Sequence, residues 1–199
     1  MPTVALAILL GVGLAASAGL NAFVPLLLLS AAAHFHLAGI TLNQHFGWLS
    51  SDIALAVLLV ATFVELIADK FPAADHALHA IGMVIRPMAG ALAAYSVFTK
   101  TDPVIAGVVA IMIAAPTSLA VNSAKAGTRL ASTVTTFGCA NPILSLIEDA
   151  ISLAVAAVAI FAPLLVPVVL ALLVVALVMI ARRLRRPSTA AAAAARSAP

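Results

Sequence analysis

Long apolar runs constrain this chain more than any other feature of its sequence. The first extends from Val4 to Ala33 without one charged residue, and comparable runs follow as far as Ala181. None shows the alternation of polar and apolar residues that is typical of barrel strands. Because lipid offers the backbone no hydrogen-bond partners, only helices and closed barrels cross it. The pattern therefore predicts a single-domain, all-α, polytopic helical membrane protein.

The composition excludes a water-soluble fold. Apolar residues make up 64% of the chain and charged residues 9%, and the mean hydropathy is +1.22. A soluble domain is about 45–50% apolar and about 25% charged. This chain has too few polar residues to cover its outside in water. Its single cysteine, Cys139, excludes an intrachain disulfide.

Helix start and stop signals divide the apolar runs into about six transmembrane helices. The predicted spans are 4–33, 50–69, 87–98 extended by part of the segment before it, 102–136, 141–163 and 163–181. We expect 73–86 to be an interfacial or re-entrant amphipathic helix. Residues 1–181 then form the transmembrane domain, and 182–199 form a basic, then Ala-rich, disordered tail.

The first run is too long for one upright helix. At about 1.5 Å per residue it would measure about 45 Å, against about 30 Å of hydrocarbon. Ser17-Ala18-Gly19 is its weakest helical stretch, with Asn21 and Pro25 just beyond. We therefore predict that this first helix is broken near Ser17–Gly19.

Basic residues predict the orientation. Four arginines, at positions 182, 183, 185 and 186, follow the last apolar run. Such clusters are typical of cytoplasmic anchors, although they also suit a lipid-headgroup patch. An even number of spans then places both termini in the cytoplasm, with only Lys100 on the opposite side.

The two halves of the chain share short motifs. Leu66-Ile67-Ala68-Asp69 resembles Leu146-Ile147-Glu148-Asp149, and Ala18-Gly19-x-Asn21 resembles Ala126-Gly127-x-Arg129. Three spans per half would give a 3+3 inverted repeat, as in many transporters. Chance matching in an Ala- and Leu-rich chain is the alternative. One fact favours chance matching. Both acidic motifs fall toward the cytoplasmic half of the membrane, whereas an exact inversion would place them on opposite sides.

A few charged residues stand at predicted membrane depth, where each costs about 2.5–3.5 kcal/mol. Glu65 and Asp69 are four residues apart and share a helix face, as do Lys125 and Arg129. Glu148 and Asp149 are adjacent and point about 100° apart. We predict that the basic face of 102–136 pairs with the acids of 50–69 and 141–163, and that Arg129 faces the interior. The result is either a buried ion-pair network that fixes helix register or a hydrated site for an ion, a proton or an anionic headgroup.

Nine residues are candidates for binding a substrate or ion: Asn21, Glu65, Asp69, Lys70, Arg86, Lys125, Arg129, Glu148 and Asp149. His76 and His79 are weak metal-ligand candidates, because no zinc-type signature accompanies them and an interfacial polar face explains them as well. No catalytic or nucleotide-binding motif is present, so neither an enzyme nor a cofactor is predicted.

Four motifs occur in order in this apolar background: Glu65-x-x-x-Asp69-Lys70, Ile85-Arg86-Pro87-x-x-Gly90-Ala91, Lys125-Ala126-Gly127-Thr128-Arg129 and Glu148-Asp149. With them, the chain resembles the bacterial membrane family catalogued as domain of unknown function 4126, over roughly Val4 to Ala181. The resemblance implies a multi-spanning protein of the bacterial inner membrane and implies no activity. This chain has Asn21 where the family leads us to expect a basic residue.

Three functions fit these observations. A small transporter or channel would use the polar site between the second, fourth and fifth predicted helices. A structural or accessory subunit would use the same ion pairs only to hold itself together. A lipid-handling protein would bind a phosphate with its basic residues. The expected partners are the bilayer and a small solute, ion or lipid headgroup. The sequence is compatible with a homo-oligomer, and nucleic acid is not an expected partner.

Overall fold

The computed structural model describes residues 4–70 and 72–185, without the side chains at 72–79, 177 and 180–185. Within that part the secondary structure is helical, with no β-strand, which confirms the all-α prediction. The helices are α1 Val4–Leu20, α2 Phe23–His34, α3 Asp52–Ala68, α4 Pro72–Ser96, α5 Pro103–Val109, α6 Ala115–Thr136, α7 Asn141–Phe161 and α8 Val166–Arg185. Short 3₁₀ turns lie at Leu37–Gly39, Gln44–Ser50 and Pro163–Leu165.

Two helices are long and apolar enough to cross a membrane. One is Pro103–Thr136, in which a π-helical turn at Ala110–Ala114 joins α5 to α6, and the other is α7. A third span results if Gln44–Ser50 and α3 count together across their 67° bend. The remaining apolar helices are shorter, at 10–17 residues: Val4–Leu20, Phe23–His34, Ala80–Ser96 and Pro163–Ala176.

The first apolar run is broken, as predicted, but the predicted position was wrong. The helix continues through Ser17–Gly19 and ends at Leu20, and α2 begins at Phe23. Ser17 is fully buried, and its hydroxyl donates to the Ser152 carbonyl at 2.8 Å. The serine therefore joins α1 to α7, and the break lies at Asn21 and Ala22.

Two other predicted boundaries need correction. Pro87 lies inside α4 and does not open a new helix, so 73–86 is not a separate element. Ser118 of α6 donates to the Arg86 carbonyl, directly before this proline, at 2.8 Å, and this contact joins α6 to α4. The last helix starts at Val166, after the 3₁₀ turn, and continues past Ala181 to Arg185.

Helix α1 lies at the centre of the bundle, against α4, α6 and α7. Close packing requires glycine at Gly19, where an added Cβ would lie 2.5 Å from the Ser118 carbonyl oxygen and 2.6 Å from Val121 Cβ. Small residues allow helices to approach this closely. The end of α1 is thereby placed against α6, among the charged residues predicted above.

Candidate functional site

Charged side chains cap both ends of the α1–α2 break. The Lys125 ammonium donates to the Leu20 carbonyl at 2.8 Å, at the end of α1. The Ala22 amide donates to the two Glu65 carboxylate oxygens at 3.3 and 3.0 Å, at the start of α2. A helix end carries partial negative charge at its carbonyls and partial positive charge at its amides. The cation and the carboxylate therefore each stand at the complementary end.

Asn21 bridges the break and α7. Its side-chain oxygen accepts hydrogen bonds from the Phe23 and Val24 amides at 3.2 and 3.1 Å, which satisfies the first turn of α2. Its side-chain nitrogen donates to Asp149 Oδ1 at 3.1 Å. Asn21 thus takes part in the site through uncharged contacts.

An ion-pair network fills the space between α3, α6 and α7. The Lys125 ammonium lies 2.9 Å from Asp69 Oδ2 and 3.3 Å from Glu148 Oε2. Arg129 Nη2 lies 3.1 Å from the same Asp69 oxygen and 2.8 Å from the same Glu148 oxygen. These contacts confirm that Arg129 faces the interior and pairs with acids of both neighbouring helices.

Two further ion pairs flank this network. Arg86 Nη2 lies 3.2 Å from Glu65 Oε1, and Arg86 Nη1 donates to the side-chain oxygen of Asn122. The Lys70 ammonium lies 3.9 Å from Asp149 Oδ2 and donates to the Leu66 carbonyl. The site therefore holds four carboxylates and four cations, so its formal charges cancel: Glu65, Asp69, Glu148 and Asp149 against Lys70, Arg86, Lys125 and Arg129.

Residues of the site line two cavities. The first, about 340 Å³, is named the hydroxyl cavity, because α6 contributes Thr128, Ser132, Thr135 and Thr136 to its lining, together with Lys125. The second, about 240 Å³, is named the apolar cavity and lies between α2, α3 and α7. Glu148 lines the hydroxyl cavity and Asp149 lines the apolar cavity. Neighbouring residues of α7 thus face different cavities, as their angular separation predicts.

Several buried polar atoms around the site have no hydrogen-bond partner within the described residues. They include Thr62 Oγ1, Arg86 Nε, Asn122 Nδ2, Glu148 Oε1 and Asp149 Oδ2. An unmade hydrogen bond of this kind costs about 1–3 kcal/mol. Their concentration here sets the site apart from a fully satisfied structural network.

The nine predicted site residues belong to one connected set of ion pairs and hydrogen bonds that reaches the α1–α2 break through Asn21, Glu65 and Lys125. Sequence reasoning missed Asn122 and Thr62, although each lies three residues before a predicted site residue and so on the same helix face. The side chains of His76 and His79 lie outside the described residues. Among those described, no group of three or more His, Cys, Asp or Glu side chains could hold a metal ion.

An all-helical chain with two to three membrane-capable helices, packed around buried ion pairs, has the architecture of an integral membrane protein. The chain belongs to the family described as domain of unknown function (DUF4126), which matches residues 8–183. No curated protein and no solved structure shows significant similarity to it.

Proposed function

We propose that this protein is a small membrane transporter whose substrate or ion site is the α1–α2 break. The observation that carries the proposal is the discontinuous central helix with a charged residue at each of its broken ends. In secondary transporters, half-helix ends at mid-membrane supply the binding groups for substrates and coupling ions. Buried ionisable residues in membrane proteins most often mark such pathways.

The two cavities suggest how a solute passes. Glu148, which lines the hydroxyl cavity, pairs with Lys125 and Arg129, and the next residue, Asp149, lines the apolar cavity. Because positive and negative groups balance, they can exchange partners without leaving a net buried charge. Lys125 contacts Leu20, Asp69 and Glu148, so we infer that an exchange among these partners accompanies passage of the solute.

The topology that goes with this function has six spans. The first consists of α1 and α2, and the others of α3, α4, α5 with α6, α7 and α8. Both termini lie in the cytoplasm, and the membrane is the bacterial inner membrane. The arginines that follow the last apolar run support this orientation.

An inverted repeat of three plus three spans is part of the proposal. In the repeat, Asp149 corresponds to Asp69 and Arg129 to Asn21. Asp69 pairs with Arg129 at 3.1 Å, and Asp149 pairs with Asn21, also at 3.1 Å. A two-fold relation between the halves would exchange these two contacts, and this reciprocity supports the repeat.

Transport is tested on purified protein in proteoliposomes by solid-supported membrane electrophysiology. Concentration jumps of organic cations, organic anions and inorganic ions are expected to give a current with at least one class. Asp149→Asn is expected to abolish that current while the protein stays folded. Asp52→Asn is the matched control, because Asp52 is exposed at the start of α3. Absence of current with every class would refute the proposal.

A structural or accessory role is the second candidate, and the balanced charges favour it. In that case Asp149→Asn lowers the stability of the protein, and neither the variant nor the unmodified protein gives a flux.

A phosphate-binding role has less support, because Arg86 and Lys125 are already engaged by carboxylates. If it holds, Arg129→Lys alone impairs function, because the bidentate fork is lost.

A further inference from the structure

The hydroxyl cavity has an apolar accessible wall although polar residues line it. Thr128, Thr135 and Thr136 donate their hydroxyl hydrogens to carbonyls of α6 itself, at 2.7, 2.9 and 2.8 Å. The Lys125 ammonium and the Glu148 carboxylate lie 3.3 Å apart, and their side chains are only 2% and 9% exposed. The surface that remains for a ligand is therefore almost entirely apolar.

The cavity is long. Ala140, Leu144, Ile147 and Ile151 line it at intervals of three or four residues, so one face of α7 forms a wall. At about 1.5 Å per residue, this wall measures about 16 Å. The volume of about 340 Å³ is more than twice the volume of about 150 Å³ that accommodates benzene. The shape and size suit an extended hydrocarbon chain.

The cavity reaches the outer surface of the bundle. Ile147 is 50% exposed, and Thr135 on the facing wall is also exposed. In a membrane protein this surface meets lipid, and a cavity with an apolar wall stays free of water. Because acyl chains surround such a protein, a lipid is the extended apolar molecule that has direct access to the cavity.

Arginines lie at the same end of the bundle as the start of α7. Helix α8 follows α7 after the turn Pro163–Leu165 and packs against it, so its C-terminal end returns toward that start. Leu173 of α8 lines the cavity, and Arg182, Arg183 and Arg185 follow nine to twelve residues later. That separation is about 14–18 Å along the helix, about half of the hydrocarbon thickness of about 30 Å. The arginines therefore belong at headgroup depth when Leu173 lies near the middle of the membrane.

We propose that the hydroxyl cavity binds one acyl chain of an anionic phospholipid whose phosphate lies at the arginines of α8. Guanidinium groups bind phosphate with paired hydrogen bonds, and basic segments beside a membrane helix attract anionic lipids. A small ion would find no accessible charge in the cavity. A topology anchor alone would require the arginines but would not require the cavity.

This lipid site is separate from the transport proposal and is measurable without flux. A chain in the cavity lies against Lys125 and Glu148, so a solute reaches that side of the ion-pair network only after the chain has moved. Lipid binding without a current in proteoliposomes leaves the lipid site intact and removes the transport function. A current without lipid binding does the reverse.

The test is native mass spectrometry of the full chain, released from detergent with one probe at a time. Palmitoyl-oleoyl phosphatidylglycerol is the anionic lipid, and the phosphatidylcholine with the same chains has no net charge. Glycerophosphoglycerol is the anionic headgroup without chains. We expect one phosphatidylglycerol to stay bound per protein, with weaker binding of phosphatidylcholine and none of glycerophosphoglycerol. Equal binding of the two lipids, or no retained phosphatidylglycerol, would overturn the proposal.

Two variants fill the cavity from different walls, Leu173→Trp from α8 and Leu144→Trp from α7. Each should lower the affinity for phosphatidylglycerol by at least about tenfold. The matched controls are Leu172→Trp and Leu146→Trp, because these leucines are 65% and 56% exposed and are not part of the described lining. The controls should bind as the unmodified protein does. An equal loss in the controls would contradict binding in the cavity.

A second measurement needs no filled variant, in case both fail to fold. A phosphatidylglycerol with a diazirine at the end of one acyl chain should label the unmodified protein at residues that line the cavity, such as Ile151 or Leu20. Labelling confined to other surfaces would overturn the proposal.

The headgroup contact is tested by Arg182→Gln combined with Arg183→Gln. Since one basic residue near an anionic surface contributes about a fivefold change in affinity, the double variant should bind phosphatidylglycerol at least about fivefold more weakly. Lys100→Gln, at an exposed lysine, is the control and should leave binding unchanged. Weak binding in the arginine variant together with full binding in Leu173→Trp would place the lipid on the arginines alone and overturn the cavity site. A protein dimer that forms in place of lipid binding would assign the cavity to a second copy, with the same consequence.

Discussion

The Lys125 ammonium lies 2.8 Å from the carbonyl oxygen of Leu20, 105 residues away in the chain. A side chain of α6 thereby supplies the partner that the next helical turn would have supplied to α1. The same ammonium contacts Asp69 and Glu148, so one lysine links the helix break to the ion pairs of α3 and α7.

Lys125→Met is expected to lower the free energy of unfolding by about 3–5 kcal/mol, because it leaves buried carboxylates without their cation. Thermal unfolding in detergent measures the loss. Lys100→Met, at an exposed lysine, is the control and should change stability by less than about 0.5 kcal/mol. Equal stability of the two variants would show that the Lys125 contacts contribute little.

Arg129 and Glu148 should be energetically coupled, because Arg129 places both Nε and Nη2 within 3.1 Å of Glu148 Oε2. Arg129→Leu and Glu148→Leu should each destabilise the protein strongly, and the double variant by less than the sum. The coupling energy of the cycle should reach about 0.5–3 kcal/mol. Additive losses would mean that each residue relies on other partners, Asp69 or Lys125.

Gly19→Ala should destabilise the bundle by about 1–3 kcal/mol, because its Cβ would lie 2.5 Å from the Ser118 carbonyl oxygen. Gly127→Ala is the matched control, since a Cβ there meets nothing within 4 Å. It should be neutral or stabilising by up to about 1 kcal/mol, the difference in helix propensity. Thermal unfolding of the pair checks both signs, and a neutral Gly19→Ala would contradict the close approach of α1 and α6.

The six-span topology is tested by thiol labelling. Gln44→Cys and Ser188→Cys in a Cys139→Ser background should react with a membrane-impermeant reagent from opposite sides. In the unmodified chain, exposed Cys139, between α6 and α7, should react from the same side as position 188. Labelling of positions 44 and 188 from the same side of the membrane would rule out this topology.

Much of the site followed from the sequence because charge in an apolar background is costly. That cost alone required partners for Arg129, and the structure places them at Asp69 and Glu148. The start of α7 could also be predicted from the sequence, because proline is favoured in the first turn of a helix and Pro142 follows Asn141 there.

The position of the α1–α2 break could not be predicted from the sequence in the same way. Ser17–Gly19 has the weaker helix propensity, but long-range partners decide the outcome: Lys125 and Glu65 cap the ends at Leu20 and Ala22. Propensity is a local quantity, and tertiary contacts override it. The apolar cavity could not be predicted from the sequence for a related reason. Thr62 and Asp149, which line it, belong to helices whose relative placement no local sequence pattern specifies.

The caps of the break also have a consequence for biogenesis. Ribosomes deliver a chain from its N-terminus, so α1 and α2 reach the membrane before Glu65, 43 residues after Ala22, and long before Lys125. A break without caps would leave a bare carbonyl and amide in lipid, whereas an unbroken helix satisfies both internally. We therefore expect the nascent segment from Val4 to Ala33 to insert as one continuous helix. It would then break into two only after α3 and α6 have docked, so the site would form late in assembly.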